Sequence, residues 1–153
     1  MQKREPGILR LLVTYYGLIQ ILHFSMLALE SFNWGRTGTP AILAPPPPAG
    51  WTDQALWLLA GTGVADAISI PFSVLFAWGW LRGKAWSDWL GALTLGGSMF
   101  SAIVFAVGTV PAGVWQVRLA YWIEALLFLP IGVLFILFLR RLLQAQPESE
   151  SPG

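Results

Sequence analysis

The chain has 153 residues, 56% of them apolar and only 11% charged, with a mean hydropathy of +0.63 and a formal net charge of +1. A soluble domain of this size usually carries about 25% charged residues, so the polar surface here is too small to coat a water-facing globule. Nine Lys and Arg spread thinly, with no basic stripe, argue against a nucleic-acid partner, and the lack of Cys excludes disulfides, thiolate metal sites and thiol nucleophiles.

In chain order, the first long apolar run covers about residues 8–31, with no full charge between Arg10 and Glu30. It has a basic start, but it is too long for a signal-peptide core, contains Gln20 and His23, and is followed by no small-x-small cleavage site; it reads as a retained span. Residues 32–53 form a loop with four consecutive prolines, Pro45–Pro48. Such a run favours a stiff polyproline II rod, here a rigid spacer or cap, with docking to an aromatic groove as the alternative. The second run, 54–81, is broken only by Asp66; the third, 89–110, has no charge; the fourth, 115–139, contains Arg118 and Glu124. The tail, 144–153, is short, acidic and rich in Pro and Ser, and is expected to be disordered and cytoplasmic.

Each run reaches the roughly 20 residues that cross a hydrocarbon core about 30 Å thick. In lipid the backbone must satisfy its own hydrogen bonds, so the runs are predicted to be helices. The expected fold is all-α: an integral membrane four-helix bundle, antiparallel and up-down-up-down, forming a single domain over 1–143. Four spans put Lys3, Arg4, Arg10, Arg82, Lys84, Arg140 and Arg141 on one side and only Arg36 and Arg118 on the other. That bias predicts a cell-membrane protein with both termini in the cytoplasm. Tryptophans fit the same frame: Trp34, Trp51, Trp57, Trp115 and Trp122 near the outer interface, and Trp78, Trp80, Trp86 and Trp89 near the inner one.

Small residues recur every fourth position in span two (Gly61, Ala65, Ser69, Ser73, Ala77) and in span three (Thr94, Ser98, Ala102, Ala106). Small residues let helix backbones approach closely in lipid, and the two ribbons are expected to face each other across the tight "RGKAW" connection. Pro71 and Pro130 are expected to kink spans two and four.

The polar residues inside the spans carry the functional expectation. Tyr16, Gln20, His23, Leu27 and Glu30 follow steps of 4, 3, 4 and 3, one face of a helix. Thr62, Asp66, Ser69 and Ser73 do the same in span two, as do Thr94, Ser98 and Ser101 in span three. Measured from the cytoplasmic basic ring at 1.5 Å per residue, His23, Asp66, Glu124 and Ser98 all fall roughly 20–24 Å deep. A lone charge there costs about 2.5–3.5 kcal/mol, so the groups are expected to turn inward and share partners. The candidate layer is His23, Asp66 and Glu124 with Gln20, Ser69, Ser98 and Ser101. Nearer the outer surface, Glu30 is expected to be interfacial and to pair with Arg118. The plainer reading is that these groups are hydrogen-bonding glue between helices, worth about 0.6–2 kcal/mol each.

No catalytic motif is recognisable: Gly61-Thr62-Gly63 follows no strand and is no phosphate loop, no Ser sits in a nucleophile elbow, and enzyme activity is left open. One His and two carboxylates on three different helices, with no HExxH, do not argue for a metal, and no cofactor is implied. In helix count and in intramembrane carboxylates such as Asp66 and Glu124, the chain resembles the four-helix sterol isomerase and sigma-2-type membrane proteins. That resemblance implies acidic residues inside a ligand cavity; span three carries no acid, and no residue roles follow from it. Three functions are expected to compete: holding a lipid-like or other apolar small molecule, serving as an accessory or assembly subunit of a larger membrane complex, and moving protons or ions. The implied partners are membrane lipids, an apolar ligand, and a membrane-protein partner or a second copy.

Overall fold

A computed structural model describes residues 7–144. The described residues form helices α1 (Gly7–Thr37), α2 (Asp53–Leu81), α3 (Ser87–Thr109), α4 (Val114–Val117) and α5 (Leu119–Gln144). Four of these are long and apolar enough to cross a membrane, and the apolar surface of each points mostly outward. The fold is all-helical, with four membrane-length helices in a bundle. The tail lies outside the described residues except Gln144, the last residue of α5, and Lys3 and Arg4 lie outside them too.

Helix ends follow local chemistry more closely than hydropathy. The first helix runs on to Thr37, six residues past the expected end at Ser31, because nothing breaks it before Gly38. Gly38 takes a left-handed φ of 79° and its N–H donates to Trp34 O at 2.8 Å, and Pro40 follows. Such a glycine turn closes a helix. At the start of α2, the Thr52 hydroxyl accepts from Ala55 N at 3.3 Å and Asp53 sits in the first turn, where the helix dipole favours a carboxylate. The fourth span does not start at Trp115 as expected. Val114–Val117 make one separate turn, Arg118 is extended (φ −125°, ψ 108°), and the long helix begins at Leu119. The break frees carbonyls, and the Trp122 indole donates to one of them, Trp115 O, at 2.7 Å.

Packing joins α1 to α2, α2 to α3, α3 to α5 and α5 back to α1. Residue numbers run in opposite order along the contacts: Gly17 meets Ala77 and Gly63 meets Leu27, while Gly91 meets Phe138 and Gly132 meets Met99. The core at the end nearer the termini is apolar and closed. Val13, Phe76, Leu95, Ile131, Leu134 and Phe138 are all fully or almost fully buried there, and Phe76 meets Phe138 edge-on at 5.3 Å. Below it, Arg141 bonds Asp88 at 2.7 Å and lies over the Trp80 ring. Both proline-containing helices continue through Pro71 and Pro130. On α5, the Leu127 carbonyl accepts from the Tyr15 hydroxyl of α1 at 2.8 Å.

The small-residue ribbons do not zip together along their length. Ala77 packs on Gly17 of α1, and Ser73 turns towards Tyr16 of α1. Gly61 and Ala65, at the other end of the row, stay exposed. Close approaches to α3 are made at Gly91, where an added Cβ would meet the Phe76 and Phe138 rings, and at Gly108, where it would meet Leu58. Gly91→Leu is therefore expected to destabilise the bundle by about 1–3 kcal/mol through overpacking. Gly96→Ala, with open space around it, should stay within about 0.5 kcal/mol. Reversible unfolding in mixed micelles reads both.

Candidate functional site: a divided polar layer

The heptad spacing of α1 brings Tyr16 and Gln20 into the bundle, where both are buried. The Tyr16 hydroxyl is 2.9 Å from Ser73 Oγ, 2.8 Å from Ser98 Oγ and 3.3 Å from Thr94 O. Directions follow from counting protons. Ser73 Oγ donates to Ser69 O at 3.2 Å, so it accepts from Tyr16. Tyr16 has one hydrogen, so the Ser98 hydroxyl donates to it, and Ser98 Oγ in turn accepts from Gln20 Nε2 at 3.4 Å. The result is a one-way chain, Gln20 to Ser98 to Tyr16 to Ser73 to the Ser69 carbonyl. It ties together α1, α2 and α3.

About one helical turn further from the termini lies a second group. Ser101 Oγ donates to Asp66 Oδ1 at 2.8 Å, and His23 Nε2 stands 3.9 Å from Asp66 Oδ2. That last separation is longer than a hydrogen bond; the attraction is coulombic and requires the imidazole to be protonated. The His23 ring also meets Phe128 of α5 edge-on at 6.4 Å. Ser69 links the two groups, because its hydroxyl donates to the Asp66 carbonyl at 3.3 Å while its own carbonyl ends the Tyr16 chain.

Asp66, Ser69 and Ser101 also line a groove of about 390 Å³ between α2 and α3, which His23 does not line. Gly61, Ala65 and Gly97 leave the space, and Trp57 and Phe100 wall it. Those two rings are 79% and 70% exposed, so the groove opens sideways among surface that would meet acyl chains. The polar lining is Asp66 with Ser101, Ser69 and Thr62.

Of the residues singled out in the sequence, His23, Asp66 and Ser101 meet, and Gln20 and Ser98 meet around Tyr16 with Ser69 between the groups. Glu124 joins neither group. It is half-buried on α5, does not line this groove, and has no hydrogen bond or ion pair among the described residues. Glu30 and Arg118 do not pair with each other. The Glu30 carboxylate, only 5% exposed, accepts backbone N–H groups from Ala41 (2.9 Å), Ile42 (2.7 Å), Leu43 and Ala44 (3.5 Å). Arg118 Nε instead donates to Pro46 O at 3.2 Å. Consecutive loop amides make an anion-holding concavity, which satisfies the carboxylate without a cation. No group of three or more His, Asp or Glu able to hold a metal occurs among the described residues.

Sequence reasoning missed the groove walls, Trp57 and Phe100, and the clasp around Glu30. Trp57 was indistinguishable from an interfacial anchor, and backbone amides carry no residue-specific signal. Comparison with known proteins finds no matching family model, curated protein or solved structure.

The Tyr16 chain sets an energetic expectation. Tyr16→Phe strands the Ser98 donor and the Ser73 acceptor, and should cost about 1–2 kcal/mol. Ser25→Ala, whose hydroxyl bonds only the carbonyl of its own preceding turn, should cost less than about 0.5 kcal/mol. The difference between the two unfolding free energies in micelles is the measurement.

Proposed function

We propose that the chain is a small multi-pass protein of the cell membrane, with both termini cytoplasmic, that holds a lipid-like apolar small molecule in the groove between α2 and α3. One observation carries the reading. The groove is walled largely by apolar side chains, opens sideways, and is lined by Asp66, whose carboxylate accepts from Ser101 and stands near His23. Apolar walls with a few placed polar groups are the general form of a small-molecule site, and an ionisable group at that depth is a functional marker by default. A ligand dissolved in the bilayer would enter laterally and present its polar end to Asp66.

The orientation rests on Arg10, Arg82, Lys84, Arg140 and Arg141 gathering at one end of the bundle, against Arg36 and Arg118 at the other. The opposite residue order of neighbouring contacts fits an up-down-up-down course. Movement of protons or ions is the less favoured reading, because the apolar core of Val13, Phe76, Leu95, Leu134 and Phe138 lies between the polar groups and the terminal end. The accessory-subunit reading draws on the same groove, since Gly61, Ala65 and Gly97 would also let a partner helix approach.

Native mass spectrometry of gently extracted protein, with identification of retained lipids, tests the reading. Asp66→Asn should insert normally but lose retention by about tenfold, equivalent to about 1.4 kcal/mol. Glu124→Gln, away from the groove, should retain the ligand within about twofold. Full retention by Asp66→Asn would remove the ligand hypothesis. A reporter fused after Gly153 should be active only in its cytoplasmic form, as the positive-inside bias requires.

A further inference from the structure

The Pro-rich loop is held down across one end of the bundle at three places. Glu30 grips its amides at Ala41–Ala44, the Tyr121 hydroxyl donates to Pro45 O at 2.9 Å, and Arg118 Nε donates to Pro46 O, while within the loop the Trp51 indole donates to Ala44 O at 3.3 Å. Pro40 and Ala44 of the loop are themselves buried. Tyr121, directly beneath, is fully buried. Glu124 follows one turn along α5, and Phe128, the ring that touches His23, follows one turn after that. A file of inward positions thus runs from the loop towards the His23–Asp66 pair, and its middle member, Glu124, has no bonding partner among the described residues.

We propose that this loop is a gate latched by Glu30, and that releasing the latch admits water to Glu124 and the His23 side of the bundle. Two of the three fastenings end on loop carbonyls and take one hydrogen bond each. The Glu30 clasp takes several charge-assisted bonds at once, the stronger kind, and it orients the segment from which the other carbonyls project. Glu124, Phe128 and His23 do not line the groove, so the gate stands whether or not the groove holds a ligand. The stiffness of Pro45–Pro48 makes the segment move as one piece rather than fray.

The chain has no cysteine of its own, so a single introduced thiol reports without background. In lipid nanodiscs, where both faces are wet, Glu124→Cys is exposed to a charged methanethiosulfonate reagent, alone and combined with Glu30→Ala. Hydrogen exchange at Ala41–Leu43 is followed in parallel. The expected result is faster exchange of those amides with Glu30→Ala, and thiol modification at least about tenfold faster, because only thiolate in water reacts. Freed amides with unchanged modification would show that the loop gates nothing. Unchanged amides would show that Glu30 is no latch. Either overturns the proposal. If Glu30→Ala fails to insert, Arg118→Ala and Tyr121→Phe each remove one fastening and must each speed modification; no change in either one overturns it as well.

Discussion

The Tyr16 hydroxyl sets the register of the bundle. In hydrocarbon a polar atom has no water to fall back on, so the chain from Gln20 through Ser98, Tyr16 and Ser73 to the Ser69 carbonyl either closes completely or leaves groups stranded. It closes only when α1, α2 and α3 hold one alignment along their axes. Sliding α1 by a single residue turns Tyr16 about 100° away from its partners. The fourth long helix, α5, is outside this chain. It is held by ring and aliphatic packing at Ile131, Leu134 and Phe138, by Tyr15 on its backbone beside Pro130, and by the Arg141–Asp88 pair. Polar closure thus aligns three helices, and shape with one ion pair positions the fourth.

The same geometry explains which sequence patterns could be trusted. Membrane spans were legible because composition alone makes water an impossible solvent for them. The polar face of α1 was legible because alternating steps of four and three drift only about 20° per heptad, so Tyr16, Gln20 and His23 stay on the inner side. A strict four-residue row behaves differently. Each step adds about 40°, and Gly61 to Ala77 turns through about 160°. The row that looks like one ribbon in the sequence therefore faces α1 at Ala77 and the outside at Gly61. The groove is a direct consequence: the small residues needed for close packing at one end leave space when the same row has rotated away at the other.

Depth and direction part company in the candidate layer. Counting residues from the basic ring gave His23 and Asp66 a common height, and they meet. The count says nothing about which way Glu124 turns around α5, and it stands apart. Pairing by opposite charge was equally blind at Glu30. A carboxylate there can be neutralised by dipoles instead of a cation, and the turn after Gly38 delivers consecutive amides to it. Arg118, left without that partner, donates instead to the Pro46 carbonyl. The end of α1 at Thr37 and the clasp at Glu30 belong together, since the extra helical turns after Ser31 set where the loop begins its return.

Asp66 is where the inner and outer parts of this arrangement touch. Its side chain takes Ser101 on one oxygen and stands near His23 on the other. Its main-chain carbonyl takes the Ser69 hydroxyl, and the Ser69 carbonyl ends the Tyr16 chain. A group that presses on Asp66 from the groove therefore bears on a segment of α2 that is tied to both α1 and α3. A carboxylate used only as glue between helices would gain nothing from opening onto an apolar groove, where part of its hydration is lost and none of its bonds is improved. Ser or Asn would serve that purpose with less penalty. The position of Asp66, lining the groove and at the junction of the hydrogen bonds, is what the proposed ligand site rests on.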